Sequence, residues 1–228
     1  NGITDYSEDR VFNDVFKSNR GFSSDITAPW NDAPPITDSN GWPKEDFGVI
    51  VMANMDSTMG GVYKIRFNGS ATISPIASDF ILQNQLYDEI TNTTTAELVY
   101  SDNIAEGAQM IIAFTNTLYS DEENGIKNIQ IMKPNIPFDG DTFSTIFLEH
   151  LSRFSTLRFM DWHSTNNSPD SLWENRTSLT SPTQATSKGI AWEYCIELAN
   201  TLQKDMWINI PHRANEEYVI QLAALIHD

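Results

Sequence analysis

A single cysteine, Cys195, excludes an internal disulfide in these 228 residues, and its place in an apolar helical pattern reads as a buried, inert thiol rather than a nucleophile. Basic residues are also scarce. Fourteen Lys and Arg stand against 31 Asp and Glu, a formal charge of −17 that repels phosphate backbones and anionic lipid surfaces and argues against nucleic acid and membrane as partners. No run of about 18 apolar residues could span a bilayer, and no charged-then-apolar leader reads as a signal peptide. Hydrophobic residues nevertheless make up 40% of the chain, enough for one large core or two modest ones.

What is present divides by periodicity. Short runs rich in β-branched and aromatic residues, at 48–54, 61–68, 71–76, 80–83, 96–100 and 109–115, predict antiparallel strands. In the second run Tyr63, Ile65 and Phe67 alternate with Val62, Lys64 and Arg66, as in a strand with one face buried and one wet. Met59-Gly60-Gly61 and Asn68-Gly69-Ser70 supply turns, the second of hairpin type. Several such strands predict a β-sandwich over 47–122. The leader, 1–46, holds a short helix at 8–17 and then a Pro-, Asp- and Asn-rich loop laid across the sandwich, since Trp30 and Trp42 gain from burial.

After the acidic turn at 121–125 the pattern becomes strand, helix, strand, helix, strand, helix, at 125–132, 143–154, 156–162, 190–202, 206–212 and 216–227. Strict alternation predicts parallel sheet. The fold expected is therefore α+β: an N-terminal antiparallel β-sandwich followed by the first three β/α units of a TIM-type (β/α)8 barrel over 123–228. Period 2 puts Ile129, Ile131, Leu157, Phe159, Ile208 and Ile210 on the faces toward the helices. The opposite faces, toward the lumen, carry Asn128, Gln130, Arg158, Met160, Trp207 and Asn209.

A barrel site lies where strands end, which selects Asp161, Trp162, His163, Trp173, Arg176 and His212 as substrate-binding candidates, and the polar lumen faces add Arg158 and Asn209. Trp162 and Trp173 have flat faces on which sugar rings stack, although two core tryptophans explain them equally well. Arg and His side chains supply donors for hydroxyls or carboxylates. His163 and His212 lack a second ligand at zinc-like spacing, and no loop matches a calcium pattern, although Asp139-Gly140-Asp141 and Asp121-Glu122-Glu123 carry oxygens. We expect neither metal nor cofactor.

Leu157-Arg-Phe-Met-Asp-Trp162, Trp173-Glu-Asn-Arg176, Ala199-Asn200, Trp207-Ile-Asn-Ile-Pro-His212 and Asn215-Glu-Glu-Tyr-Val219 together resemble secreted proteins with a glycoside-hydrolase-like barrel. The resemblance implies a polysaccharide or glycan partner, with Arg158 and His212 framing a sugar subsite by their order along the chain. It also implies catalytic glutamates after a fourth and a seventh strand. The chain begins at Asn1 and ends at Asp228, before either, and a closed barrel takes about 250 residues, so a fragment with no catalytic residues of its own is expected. The N-x-S/T sequons at Asn68, Asn92, Asn166 and Asn175 permit a secreted, extracellular glycoprotein, though a composition this rich in Asn, Ser and Thr yields about as many by chance. The alternative is a non-catalytic structural or adhesive glycoprotein that self-assembles or packs against the rest of its own chain.

Overall fold

The computed structural model describes residues 3–101, 107–120 and 123–227. Two antiparallel sheets dominate it. One is built from β1 (Phe22–Ser23), β2 (Phe47–Met55), β4 (Ser70–Pro75), β7 (Ala108–Ser120) and β8 (Glu123–Asn124). Its strands run in the order β1-β2-β7-β4, and β8 adds to the far end of β7. The other takes β3 (Gly61–Asn68), β5 (Phe80–Asp88), β6 (Thr93–Tyr100) and β9 (Lys127–Met132), in the order β5-β6-β3-β9. Alternation along β3 buries Tyr63, Ile65 and Phe67 in one apolar core with Val49, Met55, Ile73, Ile112 and Phe114 of the first sheet. Phe67 meets Phe114 edge to face, at 5.7 Å between centroids.

The turn at Asn68-Gly69-Ser70 does not close a hairpin. It carries the chain from β3 in one sheet to β4 in the other. Gly69 sits at φ 100°, and a Cβ there would lie 2.7 Å from the Leu118 carbonyl, so a side chain would collide with the strand it crosses.

The leader also departs from expectation. In place of a helix at 8–17 there is a single 3₁₀ turn, Val15–Ser18, with Arg10 ahead of it at φ 46°. The Asp14 carboxylate accepts from Phe16 N–H at 3.2 Å and from Ile131 N–H at 2.9 Å, so it caps the turn and pins it to β9. Burial pushes the Asp14 carboxyl above its usual range, and Lys17 at 3.8 Å opposes that rise. Phe16 stacks on Trp42 in the sandwich core, whereas Trp30 stays 59% exposed.

Three β/α units do not form, and the barrel start expected over 123–228 is overturned: with 34% strand and 18% helix the fold is β-rich and mainly antiparallel. β9, read as the first barrel strand, pairs antiparallel with β3, placing Ile131 opposite Ile65. Ile129 and Ile131 are buried between two sheets instead of beneath a helix. An apolar stripe of period 2 specifies that something must cover it, not whether the cover is helix or sheet. The expected lumen residues face no barrel interior: Asn128, Arg158 and Trp207 are exposed, and Gln130, Met160 and Asn209 are half-buried. Gln130 accepts from Arg66 at 2.6 Å, and Asn128 donates to Asn68 at 2.9 Å.

One parallel pair remains, β10 (Thr156–Arg158) with β11 (Asp205–Trp207). Around it lie the helices α1 (Thr145–Leu151), α2 (Trp192–Leu202) and α3 (Glu216–His227). They share a second core of Phe143, Phe147, Leu157, Trp192, Leu198 and Leu222. The leader contributes Val11 and Phe12 to this core and Val15 and Phe16 to the first, so the six residues from 11 to 16 tie the two together. Among the described residues no helix is long and apolar enough to cross a membrane.

Candidate functional site

The long polar segment between β10 and α2 is held by buried amides that reach the leader. Asn19, fully buried, donates through Nδ2 to the Pro182 carbonyl at 2.9 Å, and Thr183 Oγ1 donates to the Asn19 carbonyl at 2.8 Å. Gln184, 1% exposed, donates to the Ser178 carbonyl, accepts from Ala191 N–H, and sends its own N–H to the Lys17 carbonyl at 2.7 Å. Each of these buried polar groups has partners, which makes the segment a fixed wall. Gly189 closes it at φ 93°, where a Cβ would meet the Trp162 carbonyl at 2.5 Å.

Between this wall and the leader lies a cleft of about 650 Å³, lined by Asn40 and Gly41 on one side and by Trp173, Arg176, Thr177 and Lys188 among others on the opposite side. Arg176 forms a bidentate pair with Glu193 of α2, at 2.6 and 3.1 Å, and donates to the Thr177 carbonyl at 2.9 Å. Its guanidinium lies 4.2 Å from the centre of the Trp173 ring. Tyr218 of α3 meets Trp173 edge to face at 5.2 Å and accepts a hydrogen bond from Trp192 Nε1 at 2.8 Å. Lys188 is balanced by buried Asp170 at 3.6 Å and also donates to the Asn175 carbonyl. Burial raises the Asp170 carboxyl, and Lys188 opposes that rise. The cleft therefore offers rigid, mostly uncharged hydrogen-bonding groups around one indole.

Behind it, His163 stacks on Trp192 with centroids 3.4 Å apart, and its Nε2 lies 3.3 Å from Cys195 Sγ. Both side chains are buried. Burial, with the Arg176 charge second, lowers His163 from its usual 6.5 to about 3, while burial raises the Cys195 thiol. The pair is neutral imidazole beside neutral thiol, which is the wrong state for a nucleophile.

Of the residues singled out by sequence, Trp173 and Arg176 come together in this cleft. Trp162 packs between Phe147 and Phe159, at 6.0 and 5.5 Å, as a wall of the second core. Asp161 lines a neighbouring depression of about 410 Å³ with Thr165, Asn166 and Ser187. Asn209 accepts through its carbonyl from Thr165 Oγ1, and His212 donates from Nδ1 to the Thr165 carbonyl at 3.2 Å. Neither lines the cleft, and nor does Arg158, which sits over Trp207 at 5.5 Å. Glu193, Asn19 and Gln184 went unnoticed in the sequence. The acidic residue in the first turn of an apolar helix is the one local signal for Glu193. Among the described residues no group of three His, Cys, Asp or Glu could hold a metal ion; Asp121 and Glu122 of the acidic turn lie outside them.

The sequons separate by geometry. Asn68 exchanges hydrogen bonds with Thr93 and Asn128, and Asn92 donates to the Tyr119 carbonyl at 2.8 Å and accepts from Tyr87. Asn166 and Asn175 are exposed at the two depressions. Expression through a eukaryotic secretory host followed by glycopeptide mass spectrometry should find glycans on Asn166 and Asn175. Folded protein carrying a glycan on Asn92 would contradict the hydrogen bonding assigned to it.

Comparison of the chain with protein-family models, curated proteins and solved structures finds no match.

Proposed function

We propose that the chain is a non-catalytic, glycan-binding part of a secreted carbohydrate-active protein, and that the cleft between the leader and the 173–188 wall holds an uncharged stretch of polysaccharide. The observation that carries this reading is the preorganised set Trp173, Arg176 and Glu193 beside a wall of Ser, Thr and Asn side chains. A pyranose ring has an apolar face and a belt of hydroxyls. A partly exposed indole meets the first, and amide, hydroxyl and guanidinium donors meet the second without a net charge to neutralise.

Hydrolysis would need two carboxyls about 5–5.5 Å apart for retention, or 6.5–9.5 Å for inversion, with one of them free to give up a proton. Here Glu193 is committed to Arg176 and Asp170 to Lys188, which among the described residues leaves Glu174 as the single uncommitted carboxyl lining the cleft, one where two are needed. Binding without cleavage is what this arrangement supports.

The test is a glycan array followed by affinity electrophoresis in the preferred neutral polysaccharide. Trp173→Ala removes the apolar platform and the support under Arg176, and is expected to weaken binding by about tenfold or more. Retention of full affinity by that variant, with its fold intact by circular dichroism, would rule the cleft out.

A further inference from the structure

Across the 179–182 ridge from the cleft lies a smaller pocket of about 170 Å³, and Ser181 and Pro182 line both. Asp14 and Lys17 of the leader line the pocket together with Asn128 and Gln130 of β9. Two backbone N–H groups, those of Phe16 and Ile131, occupy Asp14 Oδ1. Among the described residues Asp14 Oδ2 accepts no hydrogen bond, although the side chain is only 7% exposed. Lys17 Nζ stands 3.8 Å from that oxygen, too far for a hydrogen bond. The ammonium has three protons to give, and Tyr194 takes no more than one of them.

A carboxylate oxygen and an ammonium held apart at one pocket are satisfied by a group that accepts from the second and donates to the first. One water fills about 30 Å³, a fraction of the space. The pair is neutral as a whole, so Lys17 repels a cation drawn to Asp14 and Asp14 repels an anion drawn to Lys17. A hydroxyl both donates and accepts. Two hydroxyls on neighbouring ring carbons lie about as far apart as a hydrogen bond is long, which allows one to each charge.

We infer that this pocket is a further sugar subsite, in which one ring of a glycan crossing the 179–182 ridge places two adjacent hydroxyls on Lys17 Nζ and Asp14 Oδ2. The inference rests on the glycan reading of the cleft and extends it to the leader turn and β9. It also adds a selection rule, because only a ring with a free pair of neighbouring hydroxyls meets both charges. No bond is made or broken.

An ¹H–¹⁵N correlation titration with trans-1,2-cyclohexanediol tests the assignment, with cyclohexanol as the single-hydroxyl probe and glycine as the zwitterionic one. The diol should give saturable shifts at the backbone amides of Phe16 and Ile131, which share the Asp14 carboxylate. It should bind about tenfold more tightly than cyclohexanol, the yield of one more hydrogen bond to a charged group. Asp14→Asn, which retains the oxygen that caps the turn, should erase that preference. Lys17→Met, at a half-buried position, should erase it too and serves alone if the first variant does not fold. Trp173→Ala should leave diol binding intact, and Lys17→Met should leave polysaccharide shifts at Asn40 and Thr177 in place, so the subsite and the cleft are read separately. No saturable shift with the diol, equal affinity for cyclohexanol, tighter binding of glycine, or a diol preference that survives Lys17→Met would overturn the inference and leave the cleft standing.

Discussion

Replacing Trp192 with alanine is expected to cost about 4 kcal/mol of folding stability, within the range for emptying a buried aromatic site. The side chain is 1% exposed, stacks on His163 at 3.4 Å, and donates from Nε1 to Tyr218 Oη at 2.8 Å. Truncation opens a cavity in the second core and leaves the buried Tyr218 hydroxyl without its donor, two penalties that add. A domain of this size commonly has about 5–15 kcal/mol in hand, so the variant should unfold at much lower denaturant. Trp192→Phe keeps most of the volume and loses only the donor, so about 1–2 kcal/mol should separate it from the natural protein. Urea titrations of the three proteins decide the matter, and a loss under 1 kcal/mol for the alanine variant would mean that the stack is not close-packed. Because Tyr218 also supports Trp173 at 5.2 Å, the same variant should lose glycan affinity.

Acid should destabilise the protein through His163. Its imidazole titrates at about 3 when folded, against 6.5 when free. Above pH 6.5 both states are neutral there and the residue contributes no pH dependence. Between 6.5 and about 3 the unfolded chain takes up a proton that the folded one refuses. Stability from this site then falls by up to about 1.4 kcal/mol per pH unit, about 5 kcal/mol over the window, and levels off below it. Lower pH also relieves repulsion within a chain of formal charge −17, so the comparison must be with a variant. His163→Leu should show a shallower loss of stability between pH 6 and pH 4 than the natural protein. A ring proton of His163 titrating near 6.5 in an NMR pH series would contradict the burial assigned to it.

Parts of this architecture are legible in the sequence and parts are not, for one physical reason. Period-2 alternation is a local property, and it locates β3 and the face that Tyr63, Ile65 and Phe67 bury. Pairing is not local. Residues 127–132 read equally well as an inner barrel strand or as the edge of a sandwich, and the decision falls to Asp14, more than a hundred residues earlier, whose carboxylate holds Ile131 N–H. The same holds for the turn at Gly69, where small turn residues serve a hairpin or a crossing between sheets.

In the site, Trp173 and Arg176 stand out because an aromatic and a guanidinium three residues apart in a polar loop are locally visible. The groups that fix them are distant: Glu193 lies in the following helix, and the Asn19 amide reaches Pro182 across most of the chain. His163 shows how an isolated histidine misleads, since its chemistry is set by the Trp192 and Cys195 packed against it.

The most direct test of the glycan cleft is an ¹H–¹⁵N correlation titration with the polysaccharide fragment that an array selects. Saturable shifts should appear at the Trp173 indole N–H and at the backbone amides of Asn40, Gly41, Thr177 and Ser187, which line the cleft. Shifts centred instead on Arg158, Asp161 and His212, or none at millimolar sugar, would contradict the account.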